Sequence, residues 1–189
     1  MMNQVASYHE LHREIIELSK IGNSRAQYQL YQLYARAMYN ICYRMMNSRE
    51  EAEDMLQESF SEAFHKLGTF RFESAFGAWL KRITVNKCIN ALKKRKADLV
   101  PVDDLPDSSE ETDMMTESAG LSVAQVQQAM EQLPEGYRVV FSLYLLEGYD
   151  HSEISQIMGI SEATSKSQFS RAKQRIKEIL NQQSYGRQA

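Results

Sequence analysis

The sequence predicts an all-α protein made of two small helical bundles joined by a flexible acidic linker. Three observations predict it. The 189 residues hold only 8 Gly and 3 Pro against 10 Met and abundant Leu, Glu, Gln and Ala, side chains that lose little rotamer freedom in a helix. Apolar residues recur at helical rather than alternating spacing on both sides of one interruption. That interruption, residues 97–121, holds Pro101, Pro106 and Ser108–Ser109 without apolar periodicity, the composition of a tether rather than of a packed element.

The elements follow in order. Leu11, Ile15 and Leu18 mark a short first helix, and Ala26, Leu30, Leu33, Ala37, Ile41 and Met45 mark a long second one. Ser48 followed by Glu51 is a capping box that opens a third helix with the core stripe Ala52, Leu56, Phe60, Ala63 and Leu67. Gly68 and Thr69 break it, a loop rich in Phe and Arg follows, and Ser74 is placed to cap a fourth helix running to about Lys96. Beyond the linker, Ser122 with Gln125 opens a helix carrying Val126, Ala129 and Leu133. Pro134 starts the next, with Val139, Val140, Leu143 and Tyr144 inward and Gly148 at its end. Asp150 with Glu153 caps a short helix carrying Ile154, Ile157 and Met158. Gly159 suits its C-terminus, and Ser161 caps a last helix.

The net charge of −3 hides a strong segregation. Residues 81–96 carry seven Lys and Arg and no acid, whereas residues 97–121 carry eight Asp and Glu and no base. Residues 161–187 carry six bases against Glu162 and Glu178. Two basic blocks separated by an acidic one suggest two nucleic-acid contacts joined by a segment that DNA repels.

Other classes find little support. No apolar run approaches the roughly 20 residues that cross a bilayer, and the first residues lack the basic-then-apolar order of a signal peptide. A cytoplasmic protein is expected. Cys42 and Cys88 sit singly among apolar residues and read as buried thiols, and the four His show no ligand spacing. Neither a metal nor a cofactor is expected.

Three surfaces carry chemistry. Residues 150–180 have helix-turn-helix spacing: two turns of helix, the turn Gly159–Ser161, then a longer helix. In that last helix Phe169, Ala172, Ile176 and Ile179 share one face, which leaves Thr164, Lys166, Ser167, Gln168 and Arg171 outward, where a recognition helix reads base edges. In the fourth helix Trp79, Arg82, Asn86, Asn90 and Lys93 share another face. Its amides and cations fit single-stranded nucleic acid, where bases stack and phosphates pair, although Trp79 would serve equally as a core ring. In the third helix Asp54, Gln57, Glu58 and Ser61 form a carboxylate-bearing face that suits a basic protein partner or plain solvation. No nucleophile, His or metal ligand accompanies these carboxylates, so catalysis is not expected.

Residues 52–96, AEDMLQESFSEAFHKLGTFRFESAFGAWLKRITVNKCINALKKRK, resemble region two of the extracytoplasmic-function group of sigma factors. Residues 124–180, including LPEGYRVVFSLYLLEGYDHSEISQIMGISEATSKSQFSRAKQRI, resemble that family's region four. The resemblance implies a region-two bundle at 7–96, a linker at 97–121 and a region-four bundle at 122–182. It implies that Asp54, Gln57, Glu58 and Ser61 dock on the clamp helices of the largest subunit of core RNA polymerase. It gives the loop Gly68–Phe76 and the following helix, with Phe70, Arg71, Trp79, Arg82, Asn86, Asn90 and Lys93, to the minus-ten element of promoter DNA. Phe70 and Asn86 fall where the family places contacts to an extruded base. Thr164, Lys166, Ser167, Gln168 and Arg171 correspond to the helix that reads the minus-thirty-five element, and region four would rest on the flap of the second-largest subunit. An anti-sigma factor is a further expected partner, and a small-molecule substrate is not.

Two residues depart from the family pattern: Ser165 stands where Val is usual, and Gln168 where Arg is common. Two other classes stay open on the residues alone. One is a helix-turn-helix regulator binding DNA by itself, which would need a dimer helix that is not obvious. The other is a helical interaction module, suggested by Tyr28, Leu30, Tyr31, Leu33, Tyr34 and Ala35, for which no 34-residue period follows.

Overall fold

The computed structural model describes residues 12–98 and 123–185, all of whose regular elements are helical. The chain divides into two compact units between Leu92 and Lys93, inside one long helix. Most of the expected linker, and with it the expected cap at Ser122 and the core position Leu11, lies outside the described residues.

In the first unit α1 spans residues 12–20 and buries Ile16 and Ser19, whose hydroxyl donates to the Ile15 carbonyl at 2.7 Å. Ile15 is half-buried and Leu18 exposed, so the stripe is displaced by one residue from the expected one. Helix α2, Ser24–Met46, is capped by Asn23, whose side chain accepts from the Ala26 N–H at 3.0 Å, and it ends at Asn47 in the left-handed conformation. Its core face is Ala26, Leu30, Met38, Ile41, Cys42, Met45 and Met46. Leu33, half in water at 51%, and Ala37 were expected inside and are exposed. Positions 26, 30, 34, 38, 42 and 46, buried apart from the half-buried Tyr34, step by four residues, a row that drifts around the helix and leaves 33 and 37 behind.

Helix α3, Arg49–Lys66, opens on Ser48, which accepts from the Glu51 N–H. It buries Ala52, Leu56, Phe60 and Ala63 as expected, and Leu67 follows in a single 3-10 turn, Leu67–Thr69. Helix α4, Phe76–Asp98, starts later than Ser74 implied: Ala75 takes the cap position, its carbonyl receiving the Ala78 and Trp79 N–H groups. Leu80, Thr84, Val85, Cys88, Ile89 and Leu92 are its buried face. The Thr84 hydroxyl meets the Met38 sulfur at 3.4 Å, which aligns α4 with α2, and Cys42 and Cys88 are both fully buried free thiols one turn further on. A hydrogen bond with the neighbouring Cys42 thiol, and then burial, push the Cys88 thiol far up, so it carries no charge.

In the second unit α5, Val123–Glu131, α6, Glu135–Phe141, and α8, Glu162–Tyr185, enclose a core of Ala129, Met130, Leu133, Phe141, Ala172, Ile176, Ile179 and Leu180. Val139, Val140 and Leu143 are buried as expected, whereas Tyr144 is half-exposed. Helix α6 continues as a π-turn, Ser142–Leu146, in which the Glu147 N–H reaches the Ser142 carbonyl. Arg138 is buried and donates to the Leu133 carbonyl at 3.0 Å, tying α6 to the end of α5. Helix α7, His151–Met158, has the complete capping box of Asp150 and Glu153 and ends at Gly159 with φ +72°.

Candidate nucleic-acid interface

The helix-turn-helix is α7, the turn at Gly159–Ser161 and α8. Gly159 takes the left-handed conformation that a side chain resists, and Ser161 accepts from the Thr164 N–H at 2.9 Å. On α8 the expected reading residues divide. Lys166 is exposed and pairs with Glu162 at 2.8 Å, one turn back on the same helix. Arg171 is half-exposed. The Thr164 hydroxyl bonds to the Ser161 hydroxyl at 2.8 Å and the Ser167 hydroxyl donates to the Thr164 carbonyl at 3.1 Å, so both are engaged within the helix start. Gln168 does not stand outward as expected. Its amide lies over Gly136 of α6 and its Oε1 is buried, because the absent side chain at 136 leaves room for it.

Ser165 faces inward, fully buried, and its hydroxyl meets Nδ1 of His151 at 2.9 Å. The His151 ring stacks on Tyr144 with centroids 4.4 Å apart and stands edge-on to Phe169 at 5.8 Å. Desolvation, then the Lys166 ammonium, holds the imidazole below its ordinary value, and Glu162 and Asp150 offset part of this. The pattern signalled Ser165 as an inward departure; nothing local pointed to its partner fourteen residues away.

Along α4, Arg82, Asn86 and Asn90 of the first unit are exposed, as is Lys93, the first residue of the second, a row of amide and cationic donors that can pair phosphates and base edges. Trp79, at its head, is half-buried against Phe76 and Phe70, with centroids at 5.6 and 5.3 Å. Arg71 is exposed. Phe70 is 3% exposed, enclosed by Phe72, Phe76 and Trp79. An apolar ring in a short loop gains more by covering the end of the bundle than by standing in water.

Asp54, Gln57, Glu58 and Ser61 stand exposed on α3. Lys87 of α4 joins this face, 2.7 Å from Glu62 and 3.6 Å from Glu58, and Lys66 meets Glu62 at 2.6 Å. Hydrogen bonds from Lys66 and then Lys87 lower the Glu62 carboxyl, and Glu62 in turn raises Lys87. One of the seven bases of residues 81–96 is thereby turned to the acidic side. Among the described residues no helix is long and apolar enough to cross a membrane, and no group of three acidic, His or Cys side chains could hold a metal ion.

A capped helix-turn-helix in one unit and a cationic amide row along α4 define a DNA-binding transcription factor. The chain matches the family description Sigma-70 region 2 over residues 30–97 and Sigma-70, region 4 over residues 124–176. It is 32% identical to the ECF RNA polymerase sigma factor SigM of Bacillus subtilis (strain 168), over 81% of this chain and 94% of that protein. It is 30% identical to the RNA polymerase sigma-H factor of Pseudomonas aeruginosa, over 90% of this chain and 94% of that one. Its fold is that of the solved sigma factor RpoE in complex with the anti-sigma factor NepR from Bartonella quintana, with a TM-score of 0.53 and 23% identity over 81% of this chain and 95% of that one. The chain belongs to the extracytoplasmic-function (ECF) family of RNA polymerase sigma factors. Its function is promoter-specific transcription initiation with RNA polymerase.

Proposed function

We propose that the three surfaces divide the work of initiation, and the exposed row Arg82, Asn86, Asn90 and Lys93 is the observation that carries this reading. In it, residues 7–96 form the polymerase-docking and minus-ten domain, 97–121 the linker and 122–182 the minus-thirty-five domain. Asp54, Gln57, Glu58 and Ser61 meet the clamp helices of the largest subunit, where their carboxylates exchange solvent for basic partners. The row on α4, with Arg71 and the half-exposed Trp79, holds the opened minus-ten strand. Phe70 supports the loop from beneath, and the extruded base is left to Asn86 and its neighbours. Lys166 and Arg171 supply the minus-thirty-five contacts, Thr164 and Ser167 shape the start of α8, and Gln168 packs it on α6.

The second unit rests on the flap of the second-largest subunit. The protein works in the cytoplasm and catalyses no reaction itself: capturing a base costs a few kcal/mol of unstacking, which binding must return. An anti-sigma factor holds it inactive, by analogy with the solved complex of RpoE with NepR.

Run-off transcription with core polymerase on genomic fragments tests the reading, first with the intact chain and then with Arg82→Ala and Asn86→Ala. Specific transcripts are expected from the intact chain. The variants should open duplex promoters slowly and regain much of their activity on templates already mismatched at the minus-ten element. Equal losses on both templates defeat the assignment of the α4 row.

A further inference from the structure

The loop between α3 and α4 is gripped from outside by a helix to which neither the sequence nor the family match assigns a part. Phe72, at the centre of that loop, has φ +61°, a left-handed backbone that bulky residues rarely adopt and that surrounding contacts must hold. The guanidinium carbon of Arg13 lies 4.7 Å from the centroid of the Phe72 ring, and the ammonium of Lys20 lies 4.4 Å from it. Both come from α1, seven residues apart and so on one face of it. Phe70 packs on the same ring at 4.9 Å, and Phe70 in turn packs on Phe76 and Trp79, the head of the α4 row. Helix α1 is itself anchored to this cluster: His12 bonds to the Tyr34 hydroxyl at 2.6 Å and stands edge-on to Phe76.

We propose that Arg13 and Lys20 are positioning residues for capture of the minus-ten strand, acting through the ring of Phe72. Two cations on one aromatic ring make the left-handed turn the resting shape of the loop. Arg71 and Trp79 on either side of that turn are then presented in one arrangement before DNA arrives. Preorganisation of this kind raises affinity for the captured strand without a contact of its own. The inference rests on the proposed assignment of the loop and α4 to the minus-ten element.

The test uses holoenzyme, the full chain with core polymerase, and a promoter identified by run-off transcription. Its non-template minus-ten strand serves as a single-stranded oligonucleotide, and a duplex carrying only its minus-thirty-five element serves as control. Phe72→Leu and the pair Arg13→Gln with Lys20→Gln should each weaken oligonucleotide binding roughly 5-fold, the scale of a partly exposed cation–π contact or two. Both should leave the control duplex and the salt dependence unchanged. Combining them should add almost nothing, and Phe72→Trp, which keeps a ring for the cations, should bind like the parent.

Additive losses, or a flatter salt dependence in the Arg13/Lys20 variant with Phe72→Leu behaving like the parent, would show direct phosphate contacts and overturn the proposal. Unchanged binding in every loop and α1 variant overturns it as well. If Arg82→Ala and Asn86→Ala also leave oligonucleotide binding intact, the assignment of α4 fails and the proposal falls with it.

Discussion

His151, the first residue of α7, and Ser165, one turn into α8, share a 2.9 Å hydrogen bond across the turn of the helix-turn-helix. The hydroxyl is fully buried and the imidazole is wedged against Tyr144 and Phe169. A buried polar pair thus fixes how α8 packs on the start of α7.

Ser165→Val replaces the hydroxyl by a methyl group and adds a second methyl to a closed site. The second unit should lose about 1–2 kcal/mol, from one net hydrogen bond and a partner left poorly satisfied. Urea unfolding followed by circular dichroism measures this. A variant as stable as the parent would mean that the pair is replaceable by simple packing.

His151 also makes the second unit sensitive to acid. His151 lies below its ordinary value, chiefly through desolvation and then through Lys166, while Glu162 and Asp150 pull the other way. An unfolded imidazole takes up its proton near pH 6.5. Between that value and the lower folded one the unfolded chain holds more protons, so stability falls as pH falls through this window and is fully present above it. Unfolding midpoints measured from pH 7.5 to pH 5 should therefore drop more steeply in the parent than in His151→Gln.

Asp150 supplies one arm of the capping box and accepts from the Glu153 N–H at 2.8 Å, while Glu153 returns the bond to the Asp150 N–H at 2.9 Å. Asp150→Ala should cost about 1 kcal/mol. Because α7 supports α8, binding to a minus-thirty-five duplex should weaken in step with stability. A loss of binding much larger than the loss of stability would point to a direct DNA contact by this carboxylate.

Reversing Asp54 and Glu58 to Lys should weaken binding to core polymerase by about 2–5 kcal/mol if these side chains meet desolvated basic partners. Retention on immobilised core enzyme reads the effect. Undiminished retention by a folded variant would return this face to the solvent. Lys87→Ala is the control on the same surface: it removes the cation beside Glu58 and Glu62, both partly solvated, and should cost under about 1 kcal/mol of stability.

What was legible in the sequence was what is local. The caps at Ser48, Asp150 and Ser161 and the glycine at 159 act within one turn of chain, so their residue types alone announced α3, α7 and α8. The core stripe of α3 was legible for the same reason. What escaped depends on neighbours distant in sequence. Leu33 and Ala37 have the right spacing for the inside of α2, and only the direction in which its seam drifts leaves them out. The burial of Phe70 depends on three other aromatic rings, which its own short loop does not announce. Gln168 turns inward because the residue facing it, 32 positions earlier, is a glycine. The grip of α1 on Phe72 has no signature within either segment.

The wide turn at Ser142–Leu146 carries a consequence for chain length. A π-turn closes its ring one residue later than an α-turn, so side chains across it fall behind those of an unbroken α-helix, by up to about 100°, one residue's rotation, by its end. Tyr144, Leu145 and Leu146 stand in water, and Tyr144 reaches the His151 ring, in that phase. Substituting any of them alters one contact. Deleting a single residue between Phe141 and Gly148 rolls the whole segment, drawing outward leucines toward the interior and parting Tyr144 from His151. The number of residues here is itself a structural instruction, one that a count of favourable side chains does not contain.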